Sequence, residues 1–250
     1  MKTTHEQLIN NLSYLKLNEM TNHLGEIIDF VNANKLTFEE GLLRLSDYEI
    51  NYKEKMVINA MVKTGAFPHF KSLDDFDFTY QESLNRAQIM DFTNHRFIKD
   101  RENIVFLGSS GVGKTHLATS IGISAAKKRI STYFIKCHDL IMHLKKAKLE
   151  NRLEARLKNY TRYTLLIIDE LGYLPIDSED SKLFFQLIDK RYEKKSTIIT
   201  TNINFSKWDK VFMDPVIANA ILDRVLHHAH VVNITGKSYR LKDYYSDENQ

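Results

Sequence analysis

Gly108-Ser109-Ser110-Gly111-Val112-Gly113-Lys114-Thr115 (GSSGVGKT) fits the pattern G-x-x-x-x-G-K-[ST]. Glycines in this spacing let the backbone bend so that successive N–H groups point inward at an anion. Lys114 is long enough to reach the β- and γ-phosphates of a nucleotide, and the Thr115 hydroxyl suits Mg²⁺. Residues 104–107 (IVFL) read as a short buried strand before the loop. Residues 116–127 read as a helix after it, with Leu117, Ile121 and Ala125 on one face. That order sets the anion on a helix N-terminus, where the backbone dipoles favour negative charge. The expected nucleotide contacts are Gly108, Ser109, Ser110, Gly111, Val112, Gly113, Lys114, Thr115 and His116, with ATP as the cofactor.

Residues 164–168 (TLLII) form a second buried-strand pattern and run into Asp169-Glu170. An acid at such a strand end sits where Mg²⁺ is held beside a phosphate loop, so Asp169 is the expected metal residue with Thr115. Glu170, next along the chain, points elsewhere and is placed to polarise an attacking water. Another strand, residues 131–136 (STYFIK), lies between the phosphate loop and the acidic strand. That insertion resembles the ATP-hydrolysing, AAA+-like branch of P-loop proteins. A further strand, residues 196–201 (STIITT), ends in Asn202, which stands where AAA+ proteins carry a polar group facing the γ-phosphate. Arg224, in the helical stretch ILDRV, is a candidate to reach a neighbouring subunit's nucleotide. Arg240, in GKSYR, is a candidate γ-phosphate contact from within the same subunit. The catalytic set expected is therefore Lys114, Asp169, Glu170, Asn202 and Arg224.

The chain of 250 residues is 43% hydrophobic and 27% charged, ordinary for a globular protein. No apolar run approaches the roughly 20 residues of a membrane span, and the N-terminus lacks a secretory pattern. Cys137 is the only cysteine, which excludes an internal disulfide and suits a cytoplasmic protein. It is expected to be half-buried beside a strand end.

The net charge is only +3, but residues 138–163 hold seven basic side chains against three acids. This segment is long enough for two helices, residues 139–147 with Asp139 as N-cap and residues 152–160. In a ring or spiral of subunits, Lys145, Lys146, Lys148, Arg152 and Arg156 would form a basic stripe following a phosphate backbone.

Residues 1–68 read as a small helical domain. Leu8, Leu12 and Leu15 share one face, followed by the apolar spacing of Leu17, Met20, Leu24, Ile27, Ile28 and Val31. Thr37 and Glu40 form a capping-box signature for a third helix reaching about Lys63, and Gly65 and Pro68 end it. Residues 69–250 are then the ATPase domain. It opens with an aromatic and acidic linker, in which Phe78 or Gln81 could touch the adenine, and a helix over residues 82–99. The 26 residues after Arg224 are too few for a full helical lid. His227, His228 and His230 cluster there, but no cysteine or close carboxylate set completes a metal site in the sequence.

Taken together, SLDDFDF (72–78), SLNRAQI (83–89), ENIVFLGSSGVGKTHLA (102–118), LLIIDELGYLP (165–175), TTN (200–202) and ILDRVLHHAHVVNITGKSYR (221–240) resemble the IstB-like ATP-binding proteins, helper ATPases of bacterial insertion sequences. The likeness covers nearly the whole chain. One departure is Ser109-Ser110, where prolines are common, and it carries no expected functional effect. The resemblance implies an α/β P-loop AAA+ core of the initiator clade, with a parallel five-stranded sheet flanked by helices. It also implies ATP- and Mg²⁺-dependent assembly of a homo-oligomer on double-stranded DNA and regulation of a transposase. A helicase loader preferring single-stranded DNA is the near alternative. A nucleotide-switched scaffold and a small-molecule kinase are the others; Glu170 speaks against the first, and the basic segment and Arg224 against the second.

Overall fold

The computed structural model describes residues 2–242, which form two compact units that divide between Ala60 and Met61. In the first unit, helices α1 (Thr4–Tyr14), α2 (Asn18–Asn34) and most of α3 (Phe38–Thr64) surround Leu12, Met20, Leu24, Ile27 and Leu45. Of the leucines expected to share a face on α1, only Leu12 is buried; Leu8 and Leu15 are exposed. The capping box of α3 is present, with the Glu40 backbone N–H donating to the Thr37 hydroxyl and the Thr37 N–H to the Glu40 carboxylate. The start of α2 has no local side-chain cap. Instead the buried Glu49 carboxylate of α3 accepts from the backbone N–H groups of Glu19 and Met20. A carboxylate at this end also meets the positive pole of the helix.

The second unit begins with the last turn of α3, where Gly65 accepts a backbone bond from Phe134 and Phe67 packs on the core. Residues 82–99, expected as one helix, are α4 (Arg86–Asp91), a short 3₁₀ turn and α5 (Arg96–Lys99). The break falls at His95, whose φ of 58° is left-handed and cannot continue an α-helix.

A five-stranded, all-parallel sheet follows, built from β1 (Asn103–Gly108), β2 (Thr132–Lys136), β3 (Leu165–Leu171), β4 (Ser196–Thr201) and β5 (Ala229–Ile234). Its order is β2-β3-β4-β1-β5. The strand cores are continuous apolar runs because helices cover both faces, as parallel sheets require. One face packs on α6 (Lys114–Lys127) through Leu117, Ile121 and Ala125. The other packs on α7 (Cys137–Leu149), α8 (Leu153–Thr161), α9 (Ser178–Arg191), α10 (Trp208–Phe212) and α11 (Pro215–Leu226). Strand β4 lies between β1 and β3, so the phosphate loop after β1 and the acids ending β3 face each other across the tip of β4. Ligands of open α/β sheets bind at such carboxyl-end crevices.

Two sequence expectations need correction here. Asp139 is not the N-cap of α7; β2 passes directly into that helix, Lys136 occupies the cap position, and Asp139 lies in the first turn. Cys137 is buried rather than half-buried, and desolvation pushes its thiol up to about 12, so it is an inert apolar group.

Candidate nucleotide-binding and hydrolysis site

At the carboxyl end of β1 the loop turns through Gly111 (φ 82°) and Gly113 (φ 99°), conformations an L side chain resists. Crowding adds a second reason: a Cβ on Gly113 would lie 2.4 Å from the Phe76 ring, and one on Gly111 2.0 Å from the Ser238 hydroxyl. Gly113 is the N-cap of α6, so Lys114, Thr115 and His116 form its first turn, where backbone N–H groups have no partner within the helix. The Lys114 ammonium donates to the carbonyls of Gly108 (2.8 Å) and Ser109 (2.7 Å). Burial lowers its pKa and the nearby Arg240 adds to this, while Asp169 and Glu170 oppose. A lysine held this way has a strong electrostatic reason to exchange two neutral carbonyls for a phosphate.

Asp169 is buried at the end of β3 and accepts from both the Thr115 hydroxyl (2.9 and 3.1 Å) and the Thr200 hydroxyl (2.5 Å). Burial pushes its carboxyl above the usual range, against the two hydroxyl bonds that favour the charged form. The Thr115 hydroxyl and Asp169 carboxylate are an adjacent, hard, all-oxygen donor pair, which fits Mg²⁺. Glu170 sits at a register irregularity in β3 with φ 61°. Its backbone N–H donates to Thr200 (3.0 Å), and its carboxylate pairs with the Lys136 ammonium at the end of β2 (2.9 Å). That bond raises the Lys136 pKa. The bulge turns the Glu170 side chain into the nucleotide cleft, where Asp169 alone would otherwise face the loop.

The cleft measures about 330 Å³ and is lined by residues 110–116, Glu170, Phe76, Gln81, Tyr239 and Arg240. Its outer wall is the segment after β5. The Tyr239 N–H donates to the Gly111 carbonyl (2.9 Å), the Gln81 amide to the Lys237 carbonyl (2.8 Å) and the Tyr80 hydroxyl to the Ser238 carbonyl (3.2 Å). Arg240 therefore stands beside the phosphate loop. His116 is held by a 2.8 Å bond between its ring and the Ser72 carbonyl, with Phe76 edge-on to it. Of the two linker residues offered for adenine, Gln81 lines the cleft, whereas Phe78 packs into the core under Arg86; Phe76 is the aromatic facing the loop.

Asn202 is exposed one residue beyond β4, and the β4 side chain that touches both acids is Thr200. Sequence reasoning missed Thr200 and Lys136. Each had a signal in the strand pattern: Thr200 on the strand between loop and acids, Lys136 in register with Asp169. Arg224 lies away from this cleft, donating to the Asp189 carboxylate (2.7 Å) with its guanidinium over Phe185 and Tyr192. Lys145 pairs with Asp180 (3.1 Å) and Asp177 (3.4 Å), Lys148 with Glu179 (3.1 Å), and Arg152 with Glu150. Lys146 is exposed on α7, and Arg156 is half-buried on α8. The basic stripe is thus partly neutralised by acids at the start of α9. No helix of the described residues is long and apolar enough to cross a membrane.

The chain is 66% identical to the ATP-binding protein of insertion sequence IS232 from Bacillus thuringiensis subsp. berliner, over all of both chains. Among solved structures it is similar to the DnaC helicase loader, at 29% identity and a TM-score of 0.53, covering 61% of this chain and 90% of that one. The AMPPCP-bound DnaA from Aquifex aeolicus shares the fold at 19% identity and a TM-score of 0.58, covering 74% of this chain and 56% of that one. Residues 10–246 match the family described as IstB-like ATP binding protein. The phosphate loop, the paired acids and the parallel sheet agree with that match, and the chain belongs to the IstB-like family of AAA+ P-loop ATPases associated with insertion sequences.

Proposed function

We propose that this protein couples ATP binding and hydrolysis to assembly on duplex target DNA and to recruitment or regulation of a transposase. The observation that carries the ATPase part is the hydrogen-bonded cluster of Thr115, Asp169, Thr200 and Glu170 beside a buried, phosphate-ready Lys114. Lys114 and the first-turn N–H groups of α6 bind the phosphates. Thr115 and Asp169 would hold Mg²⁺, which would supply positive charge against the charge developing on the transferring phosphate. Glu170 takes the proton of the attacking water once its carboxylate leaves Lys136 for the γ-phosphate side, and Thr200 fixes the backbone from which it swings. Arg240 contacts the γ-phosphate from within the subunit, and Asn202 orients it from the tip of β4.

Arg224, remote from its own cleft and only partly exposed, suits action on a neighbour in a ring or spiral. Mixing Arg224→Ala with Lys114→Ala protein should then restore some hydrolysis, and no rescue at any ratio would count against it. Duplex DNA is supported by the basic α7–α8 segment and by the insertion-sequence relatives. The likeness to the DnaC loader favours a second reading, single-stranded DNA and a replicative helicase as partners.

Steady-state phosphate release at one fixed salt concentration separates these. Stimulation by duplex supports the transposition helper. Stimulation by single strand alone supports the loader, and no response to either argues against a DNA-dependent ATPase.

A further inference from the structure

A second cluster of chemistry lies where α9 and α11 end. Glu193 follows α9 in a turn with φ 54°, His227 caps α11, and His228 is next. The Glu193 carboxylate lies 3.9 Å from His227 Nδ1 and 3.8 Å from His228 Nε2, and one ligand atom from each residue falls within 4.8 Å of the others. The two imidazoles stand side by side with centroids 3.9 Å apart. All three side chains are about half exposed, so an ion reaches them from solvent.

We propose that Glu193, His227 and His228 bind Zn²⁺. Two imidazoles and a carboxylate are the donor set of a zinc-type ion, and imidazole nitrogens select against Mg²⁺. Bonds of about 2.0–2.1 Å set ligand-to-ligand edges of about 3.3 Å in a tetrahedron, so the two Glu193 separations must close by roughly half an ångström and no separation by more than about 1.5 Å. Exposed side chains do this without disturbing a core. The backbones behind them are already fixed. Arg191 is buried and donates to the carbonyls of Tyr160, Tyr163 and Ser196, which anchors the end of α9. Arg101 donates to the Glu193 carbonyl (3.3 Å), and the Asn103 N–H to the His228 carbonyl (2.7 Å). His230, the third histidine of the run, is committed elsewhere, to Glu102 at 2.8 Å.

Two consequences follow from position. The Tyr192 hydroxyl lies 2.6 Å from His227 Nδ1, so the ion takes that nitrogen from the tyrosine, and water completes the coordination. The ion also staples the ends of the two helices carrying Asp189 and Arg224, which holds the Arg224 guanidinium in its present setting. The site itself does not depend on whether Arg224 acts in trans.

The test uses untagged full-length protein, freed of metal by a chelator and titrated with zinc in excess Mg²⁺ by calorimetry. The expected result is one zinc per chain, weakened at least tenfold in His227→Gln/His228→Gln and in Glu193→Gln, with His230→Gln unchanged. Melting curves without metal verify that each variant folds, and the single Glu193→Gln change serves if the double one does not. Cobalt(II) in place of zinc should give the strong visible bands of a four-coordinate site, lost in the same variants. Wild-type binding no tighter than about 100 μM, or equal binding by the folded Glu193→Gln or double variant, overturns the proposal.

Discussion

The cleft after β1 and the basic face of α7 hold the same kinds of side chain in opposite circumstances. In the cleft, Lys114 and Asp169 are buried, and their nearest partners are backbone carbonyls and hydroxyls rather than opposite charges. On α7, Lys145 and Lys148 are exposed, and their partners are acids of α9. Burial without a counter-charge is costly, so the cleft stores a demand for a ligand that brings both anion and cation. The exposed Lys148–Glu179 pair stores little, since water and salt screen it, whereas Lys145 also neutralises the buried Asp180. A ligand in the cleft should therefore be bound almost all-or-none, whereas one on α7 competes with the weak Lys148–Glu179 pair and the stronger hold of Asp180 on Lys145, and is tuned by salt.

Lys114→Ala should break the first half of that contrast most severely. Calorimetric ATP binding should vanish, and hydrolysis should fall by at least about 10³-fold, because charge at the transferring phosphate loses its main protein partner. Melting of the nucleotide-free protein should not fall in parallel, since the lost lysine was desolvated. Parallel collapse of both would mean that Lys114 is mainly structural.

Next in size is Glu170→Gln, expected to lower hydrolysis about 10²–10⁴-fold with ATP affinity nearly unchanged. Such a variant should also hold any DNA-bound assembly in its ATP state. Hydrolysis at the normal rate would move the water-activating role away from Glu170.

Thr200 sharpens the comparison from inside the cleft. Thr200→Val leaves buried Asp169 one donor short and the Glu170 N–H without its acceptor, at a cost of about 1–3 kcal/mol in denaturant unfolding. Asn202→Ala removes an exposed side chain and should leave stability unchanged, so any loss of hydrolysis there reports on the γ-phosphate alone. Asp169→Asn gives the pH test. Burial raises the folded pKa of Asp169 above its unfolded value, so the native state binds the proton more tightly. The wild type therefore loses stability as pH rises from the ordinary carboxylate range through the raised value. Without nucleotide, Asp169→Asn should melt higher than wild type at neutral pH, and the gain should shrink on acidification.

Much of this was legible in the chain because the loop and strand signals are local. Gly111 and Gly113 announce a turn, and the apolar run before Asp169-Glu170 announces a buried strand with acids at its tip. What stayed hidden depended on strand order. Neither Thr200 nor Lys136 is unusual in its own segment, and each acquires a role only because β4 lies between β1 and β3 and β2 lies beside β3. Glu193 was invisible for the same reason, lying more than thirty residues from the histidines it meets. Periodicity also misled over residues 82–99, where the apolar spacing is helical but His95 adopts a backbone angle that stops the helix.

The smallest expected effect tests the other half of the comparison. Replacing Lys145, Lys146 and Lys148 together by alanine removes three charges from α7 and frees Asp177, Asp180 and Glu179. If all three lysines met phosphates, the logarithmic salt dependence of duplex binding would fall in slope by up to about 2.7, since each contact contributes about 0.9. Two of them must first leave carboxylates on α9, which returns part of the gain. A loss of slope nearer to one, with affinity down only severalfold at physiological salt, is the expected outcome, and Lys146→Ala alone should reproduce most of it. Undiminished slope in the triple variant would place the DNA surface elsewhere. A full loss would mean that the α7–α9 ion pairs open at no net cost, as exposed Lys148–Glu179 can but Lys145 on buried Asp180 should not.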